Sequence, residues 1–203
     1  MFLQKLIVGP YQTNCYLVQA KPRGAILVID PGGNGEIVKA LTALKGKVRY
    51  IVNTHGHADH ICGDVALKKQ CRASILIHPS DAPYLLNEEK NLSKSLGIPC
   101  QQVFADFPVN DDSQIRLDGL TFTVIHTPGH TPGSICLYQP QEKILFSGDT
   151  LFKNGIGKVE TGASKKELKE SLKKICALAD EVTVYPGHGE ETTIGDERRR
   201  LGL

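Results

Sequence analysis

Short runs rich in aliphatic and β-branched residues recur along the chain, and each stops at residues that turn a backbone. Residues 3–8, 15–19 and 25–30 form the first three, the last reading AILVID and closed by PGGNG. Residues 48–54 and 74–78 follow, and the second half repeats the pattern with QIRL, LTFTVIH, ICLYQ, KILFS and VTVYP. Asp118-Gly119, between QIRL and LTFTVIH, has the chemistry of a two-residue hairpin turn. Helical signals lie between the runs. Residues 36–44 place Ile37, Val38, Leu41 and Leu44 at helical spacing, and residues 59–69 read as one helix with an acidic residue at its start. Ser164 and Glu167 make a capping box ahead of the stripe Leu168, Leu172, Ile175 and Leu178. Strands in both halves with helices beside them fit two sheets packed face to face, helices outside.

Residues 80–112 break the pattern: they are polar, punctuated by proline and only weakly periodic, which reads as a lid or a variable insertion. A chain of 203 residues with 40% hydrophobic residues can bury one sizeable core, so a single domain over residues 1–203 is expected. A net charge of +2 is too small for a nucleic-acid groove or a membrane-surface patch, and Arg198, Arg199 and Arg200 read as a solvated helix face. The six cysteines are scattered without a CxxC pair, and most sit among apolar neighbours as small buried hydrophobes would, so they read as reduced. The first residues lack the pattern of an export signal and no run is long enough to span a bilayer, which together point to the cytosol.

The stretch NTHGHADHICG concentrates three of the seven histidines and an aspartate within six positions. In an extended or tightly turned segment, residues two apart project to one side, so His55 and His57 can meet at one point. Asp59 and His60 follow where the chain bends into a helix, which aims them at a neighbouring point; that spacing suits two metal ions better than one. Further donors stand in matching contexts: His130 in HTPGHTPGS, Asp149 in SGDT and His188 in YPGHG, each after a strand and beside glycine. Donors at several strand ends can gather at one rim of a sandwich. His78 and His126 have no such partners and read as turn or core histidines, with a supporting role for His126 as the lesser reading. Cys62 reads as a buried thiol. Histidine nitrogen and carboxylate oxygen suit zinc and admit iron or manganese. Such ions lower the pKa of water to about 7 and so replace a nucleophilic serine or cysteine.

The set H-x-H-x-D-H, GHTPGS, GDT and PGH, in this order, resembles the metallo-β-lactamase superfamily. That resemblance covers nearly the whole chain and implies an α/β fold, a four-layer αββα sandwich with a metal site at one rim. It implies that His55, His57 and His130 hold a first ion, that Asp59, His60 and His188 hold a second, and that Asp149 bridges them. The catalytic carboxylates would be Asp59 and Asp149, acting with hydroxide between the ions. NCYLV, AILVIDPGG, TPGHTPGSICLY and GDTLFKNGIGK are similar to glyoxalase II, the hydroxyacylglutathione hydrolases, in a compact form without their C-terminal helical domain. The likeness implies hydrolysis of a small thiol conjugate such as lactoylglutathione, with Lys158 matching a glutathione-binding lysine. The chain departs from those enzymes at Val159 and Glu160, where they carry an aromatic pair, and at Gly189 and Glu190, where they carry a second tyrosine contact. Two other activities of the superfamily compete: a mononuclear iron persulfide dioxygenase using the positions of His55, His130 and Asp149, and a lactonase.

Overall fold

The computed structural model describes residues 1–159 and 162–203. Strands β1 (Phe2–Val8), β2 (Thr13–Gln19), β3 (Ala25–Ile29), β4 (Lys47–Val52), β5 (Ser74–Ile77) and β6 (Phe107–Pro108) form one sheet in that order. The second sheet runs from β7 (Gln114–Leu117) through β8 (Leu120–His126), β9 (Ile135–Gln139) and β10 (Ile144–Gly148). After a small hairpin of β11 (Leu151–Phe152) and β12 (Gly155–Ile156), the chain adds β13 (Thr183–Pro186) and β14 (Thr192–Thr193) to the free side of β10. The turn between β7 and β8 has positive φ at both Asp118 and Gly119, 48° and 96°, the backbone that an Asp-Gly hairpin supplies.

Alternation along the strands divides the core into layers. Tyr16, Val18, Leu27 and Ile29 from the first sheet meet Phe122, Val124, Leu137 and Phe146 from the second. Cys15, Leu17, Ile26 and Val28 point the other way, onto helices α1 (Gly35–Leu44), α2 (Ala58–Ile61) and α3 (Asp64–Cys71) through Ile37, Ile61 and Leu67. On the opposite outer face, past the short α4 (Ser93–Leu96), Leu145 and Val184 pack under α5 (Lys165–Cys176) and α6 (Ile194–Leu201) through Leu168, Leu172, Ile175 and Ile194. The result is the expected αββα layering. Ser164 caps α5 by accepting the Glu167 amide at 3.2 Å.

One local expectation is corrected. The helix expected over residues 59–69 is two helices, because Gly63 sits between them with no room for a side chain: a Cβ there would lie 2.2 Å from the Gly33 carbonyl oxygen. The Gly63 amide leaves the helix to donate to Pro31 at 2.7 Å. Residues 80–112, expected as a lid or a variable insertion, are ordered and packed onto the sandwich. They hold a 3₁₀ turn, Ala82–Leu86, then α4 and the edge strand β6, and they bury Asp81, Asn91 and Ser93. Among the described residues no helix is long and apolar enough to cross a membrane.

Candidate metal centre

β3 and β4 run parallel in one sheet and β10 and β13 run parallel in the other. Their carboxyl ends, with that of β8, deliver Asp30, residues 53–60, His130, Asp149 and His188 to one rim of the sandwich. All seven donors expected from the sequence converge there, in three overlapping groups: His55 with His57 and His130, His55 with His60 and Asp149, and Asp59 with His60 and His188.

His57 Nδ1 lies 3.1 Å from His55 Nε2 and 3.0 Å from His130 Nε2. His60 Nε2 lies 3.2 Å from His188 Nε2, and Asp59 Oδ2 is 3.3 Å from the same His188 nitrogen. Asp149 stands between the groups, with Oδ2 at 3.8 Å from His130 Nε2 and 3.6 Å from His188 Nε2, and Oδ1 at 3.5 Å from His60 Nε2. A tetrahedral ion with ligands at about 2.0–2.1 Å separates them by about 3.3–3.4 Å, so these spacings are those of a coordination shell.

The hydrogen bonds facing away from the cluster decide which ring nitrogens carry lone pairs. His130 Nδ1 donates to the Lys158 carbonyl at 2.8 Å and His60 Nδ1 to Asp30 Oδ2 at 3.0 Å, which turns both Nε2 atoms inward. His55 Nδ1 meets Thr54 Oγ1 at 3.2 Å, itself a donor to Asp30 Oδ2 at 2.7 Å. Burial and the neighbouring imidazoles hold His55 well below the usual histidine range, and burial, then His130 and His60, take His57 down to about 3. His57 Nδ1 stands 3.1 and 3.0 Å from two other inward ring nitrogens, and the single proton of an unprotonated His57 imidazole cannot serve both fully. Asp149 Oδ1 is buried and has no hydrogen-bond donor among the described residues. Both features fit divalent cations.

The second group is charged. Burial pulls the His60 imidazole down, but Asp149, Asp30 and Asp59 outweigh it and hold the group at about 10. His188 is raised against burial by its hydrogen bond to Asp59 and by Asp149. Burial pushes the Asp59 carboxyl up, yet His60 and His188 prevail and hold it well below the carboxylate range.

Several supporting residues escaped the sequence reading. Asp30, at φ 52°, turns out of β3 and accepts from the Thr54 amide at 2.7 Å, from Thr54 Oγ1 and from His60. Its only signal was an aspartate closing AILVID. Asp81, fully buried, accepts from the amides of Gly56 at 2.9 Å and Gly133 at 2.7 Å and from Thr131 Oγ1 at 2.6 Å. Thr13 Oγ1 donates to Asp59 Oδ2 at 3.2 Å, while Asn14 Nδ2 and the Tyr16 hydroxyl hold the Pro186 carbonyl at 2.9 and 2.6 Å, two residues before His188.

The remaining candidates lie outside the cluster. His78 and His126 stack on each other with centroids 4.0 Å apart, and His126 Nε2 donates to the Pro132 carbonyl, contacting no donor of the centre directly. Cys62 donates to the Gly32 carbonyl at 3.0 Å and burial pushes its thiol up to about 11, so it is a packed thiol. Lys158 offers its carbonyl to His130, and its exposed side chain borders a groove walled by Leu168, Leu172, Leu201 and Leu203. Val159 packs against the α5 cluster, Glu190 pairs with Lys153, and Glu160 lies outside the described residues. Arg198, Arg199 and Arg200 pair with Asp180, Asp196 and Glu197.

A family profile, the metallo-beta-lactamase superfamily, matches residues 8–188. The hydroxyacylglutathione hydrolase GloC of Haemophilus influenzae is 32% identical over 204 residues, 98% of this chain and 96% of that one. Among solved structures, the BLEG-1 B3 metallo-beta-lactamase superposes with a TM-score of 0.91 at 32% identity, covering 98% of this chain and 97% of that chain. The protein TTHA1623, solved in a di-iron-bound form, gives a TM-score of 0.85 at 32% identity over 97% of both chains.

Proposed function

The chain belongs to the metallo-beta-lactamase superfamily, and from that premise we propose that it hydrolyses thioesters of the hydroxyacylglutathione type at a centre of two divalent ions, zinc in the first place. His55, His57 and His130 would hold one ion and Asp59, His60 and His188 the other, with Asp149 placed to serve both. The observation that carries this reading is the convergence of seven donors into overlapping groups that take in Asp149, whose buried Oδ1 has no donor among the described residues. The ions supply two things when bound: water with a pKa near about 7, and an electrophile for a carbonyl oxygen.

The chain's own groups do the rest. Burial keeps His55 and His57 unprotonated, so they donate lone pairs at neutral pH. Asp30 fixes the His60 ring through Nδ1 and the Lys158 carbonyl fixes His130. Asp59 Oδ2, steadied by Thr13 Oγ1, and Asp149 are the catalytic carboxylates, which would orient the attacking water toward the scissile carbonyl. The departing thiol has a pKa of about 8.5, so it leaves as thiolate without a strong positioned acid. That suits a thioester better than an amide. The relative GloC supports the substrate class, and Lys158, on the far side of His130, is the proposed contact for the thiol half.

Thiol release from lactoylglutathione by metal-loaded protein tests the reading. Steady anaerobic turnover that chelation removes and zinc restores is expected, with Asp149→Ala inactive. Absence of thioesterase activity in loaded protein, or turnover of a β-lactam in preference to every thioester, would overturn it.

A further inference from the structure

The segment between β5 and β7 builds something that the metal chemistry leaves unused. A cleft of about 440 Å³ opens on the His57 ring and is lined by Ser80, Tyr84, Glu89, Lys90 and Leu92. Two of those side chains are charged. Glu89 faces Lys94 at 3.9 Å, whereas Lys90 has no acid partner among the described residues.

The Lys90 side chain is exposed, yet its backbone is held twice. Asn87 Oδ1 accepts the amides of Glu89 and Lys90 at 3.0 and 2.9 Å. The next residue, buried Asn91, donates through Nδ2 to the Tyr84 carbonyl at 2.9 Å, and its own carbonyl accepts the Ala58 amide at 2.8 Å. Ala58 lies between His57 and Asp59. The backbone that carries Lys90 is thus joined by one hydrogen bond to the loop that carries the metal donors. An ammonium on a long stem, rooted this way at the wall of a cleft and owing its charge to no carboxylate, is placed to meet an anion on whatever enters.

We propose that Lys90 is the cation of a substrate-anion subsite: the thioester drawn into this cleft carries a carboxylate or a phosphate, and Lys90 Nζ selects it. The proposal rests on the thioester reading and adds to it the residue that selects the substrate's anion. It assigns selectivity to the cleft on the His57 side, whereas Lys158 borders the groove against α5.

Three thioesters test it on zinc-loaded protein: acetyl-N-acetylcysteamine without charge, succinyl-N-acetylcysteamine with the anion on the acyl half, and lactoylglutathione with anions on the thiol half. Wild type is expected to favour at least one charged ester. In Lys90→Gln the ratio of kcat/KM for that ester to kcat/KM for the uncharged one should fall roughly three- to fivefold, the scale of a partly solvated ion pair. Lys90→Arg should restore the ratio, and Lys39→Gln, on α1, should leave it alone. The charged ester affected identifies which half bears the selected anion. Calorimetric binding of succinate and of glutathione reads the subsite without turnover and should weaken by a similar factor in Lys90→Gln. If wild type cleaves no thioester but this binding still depends on Lys90, the thioester reading fails and the subsite stands. Unchanged ratios together with unchanged binding overturn the subsite.

Discussion

Asp81 Oδ2 accepts the amide of Gly56 at 2.9 Å, and Gly56 is the single residue between His55 and His57. The same carboxylate holds Thr131 and Gly133, which follow His130 in its loop, so one buried side chain ties together the two loops that bring three histidines into register. Asp81→Ala leaves buried donors without acceptors, at about 1–3 kcal/mol each. A competition titration with a chromogenic chelator should show metal affinity lower by about 10- to 100-fold. Wild-type affinity in this variant would remove Asp81 from the account of the site.

Gly187 is expected to matter to the centre more than to the fold. A Cβ on it would lie 2.2 Å from Asp149 Oδ1, an oxygen with no hydrogen-bond donor among the described residues, and 2.8 Å from Cε1 of the His60 ring that Asp30 holds, so the group that gives way is the Asp149 carboxylate. Gly187→Ala should therefore melt close to wild type while binding fewer metal ions per chain. A large loss of thermal stability with full metal content would contradict this.

The contrast between these two residues marks how far the sequence could be read. His55, His57, Asp59 and His60 are neighbours in the chain, so local geometry brings them together and spacing alone revealed them. His130, Asp149 and His188 were legible because each follows a strand and adjoins glycine, a context that sequence retains. Asp81 was not: its partners lie 25, 50 and 52 residues away, and nothing local distinguishes it from a turn aspartate. Asp30 was hidden likewise, 30 residues before His60. Residues 80–112 yielded no elements from the sequence because their order comes from side-chain bonds such as Asn91 to Tyr84 rather than from periodic apolar faces. The layering was readable, since alternation in the strands and the stripe on α5 follow directly from burial. The helix break at Gly63 was not, because the Pro31 and Gly33 carbonyls that require it approach from another part of the chain.

Asp64 should make the protein less stable as pH rises. Burial, with a smaller push from Asp30, raises its carboxyl well above the carboxylate range, against the single hydrogen bond from Asn53 Nδ2 at 2.6 Å. A carboxyl whose folded pKa lies above its unfolded value stabilises fully below the unfolded value, and that contribution is lost as pH climbs through the folded value. Asp64→Asn has no proton to lose and keeps an acceptor for Asn53. Urea midpoints at pH 5 and pH 8 should show the variant gaining on wild type at the higher pH, on the order of 1 kcal/mol. Equal differences at both pH values would contradict the assignment.

His60 predicts a pH dependence of opposite origin. In the metal-free chain it is held at about 10 by Asp149, Asp30 and Asp59. Its contribution is whole below the unfolded histidine value of about 6.5 and is lost as pH rises through about 10. Chelated protein should lose stability between those values, a trend that the loaded protein does not share. An imidazolium cannot coordinate, so metal entry must expel the proton. Calorimetry in buffers of different ionisation enthalpy at pH 7.5 should detect its release, and binding without proton release would contradict the charged state of His60.

The most direct test of the central claim, that the seven donors assemble a two-ion centre that hydrolyses thioesters, is a titration of chelated protein with zinc under anaerobic conditions, following thiol release from lactoylglutathione against bound metal. Activity that grows to saturation at two ions per chain is the predicted result. Full activity at one ion, a requirement for iron and oxygen, or no hydrolysis with both ions bound would contradict it.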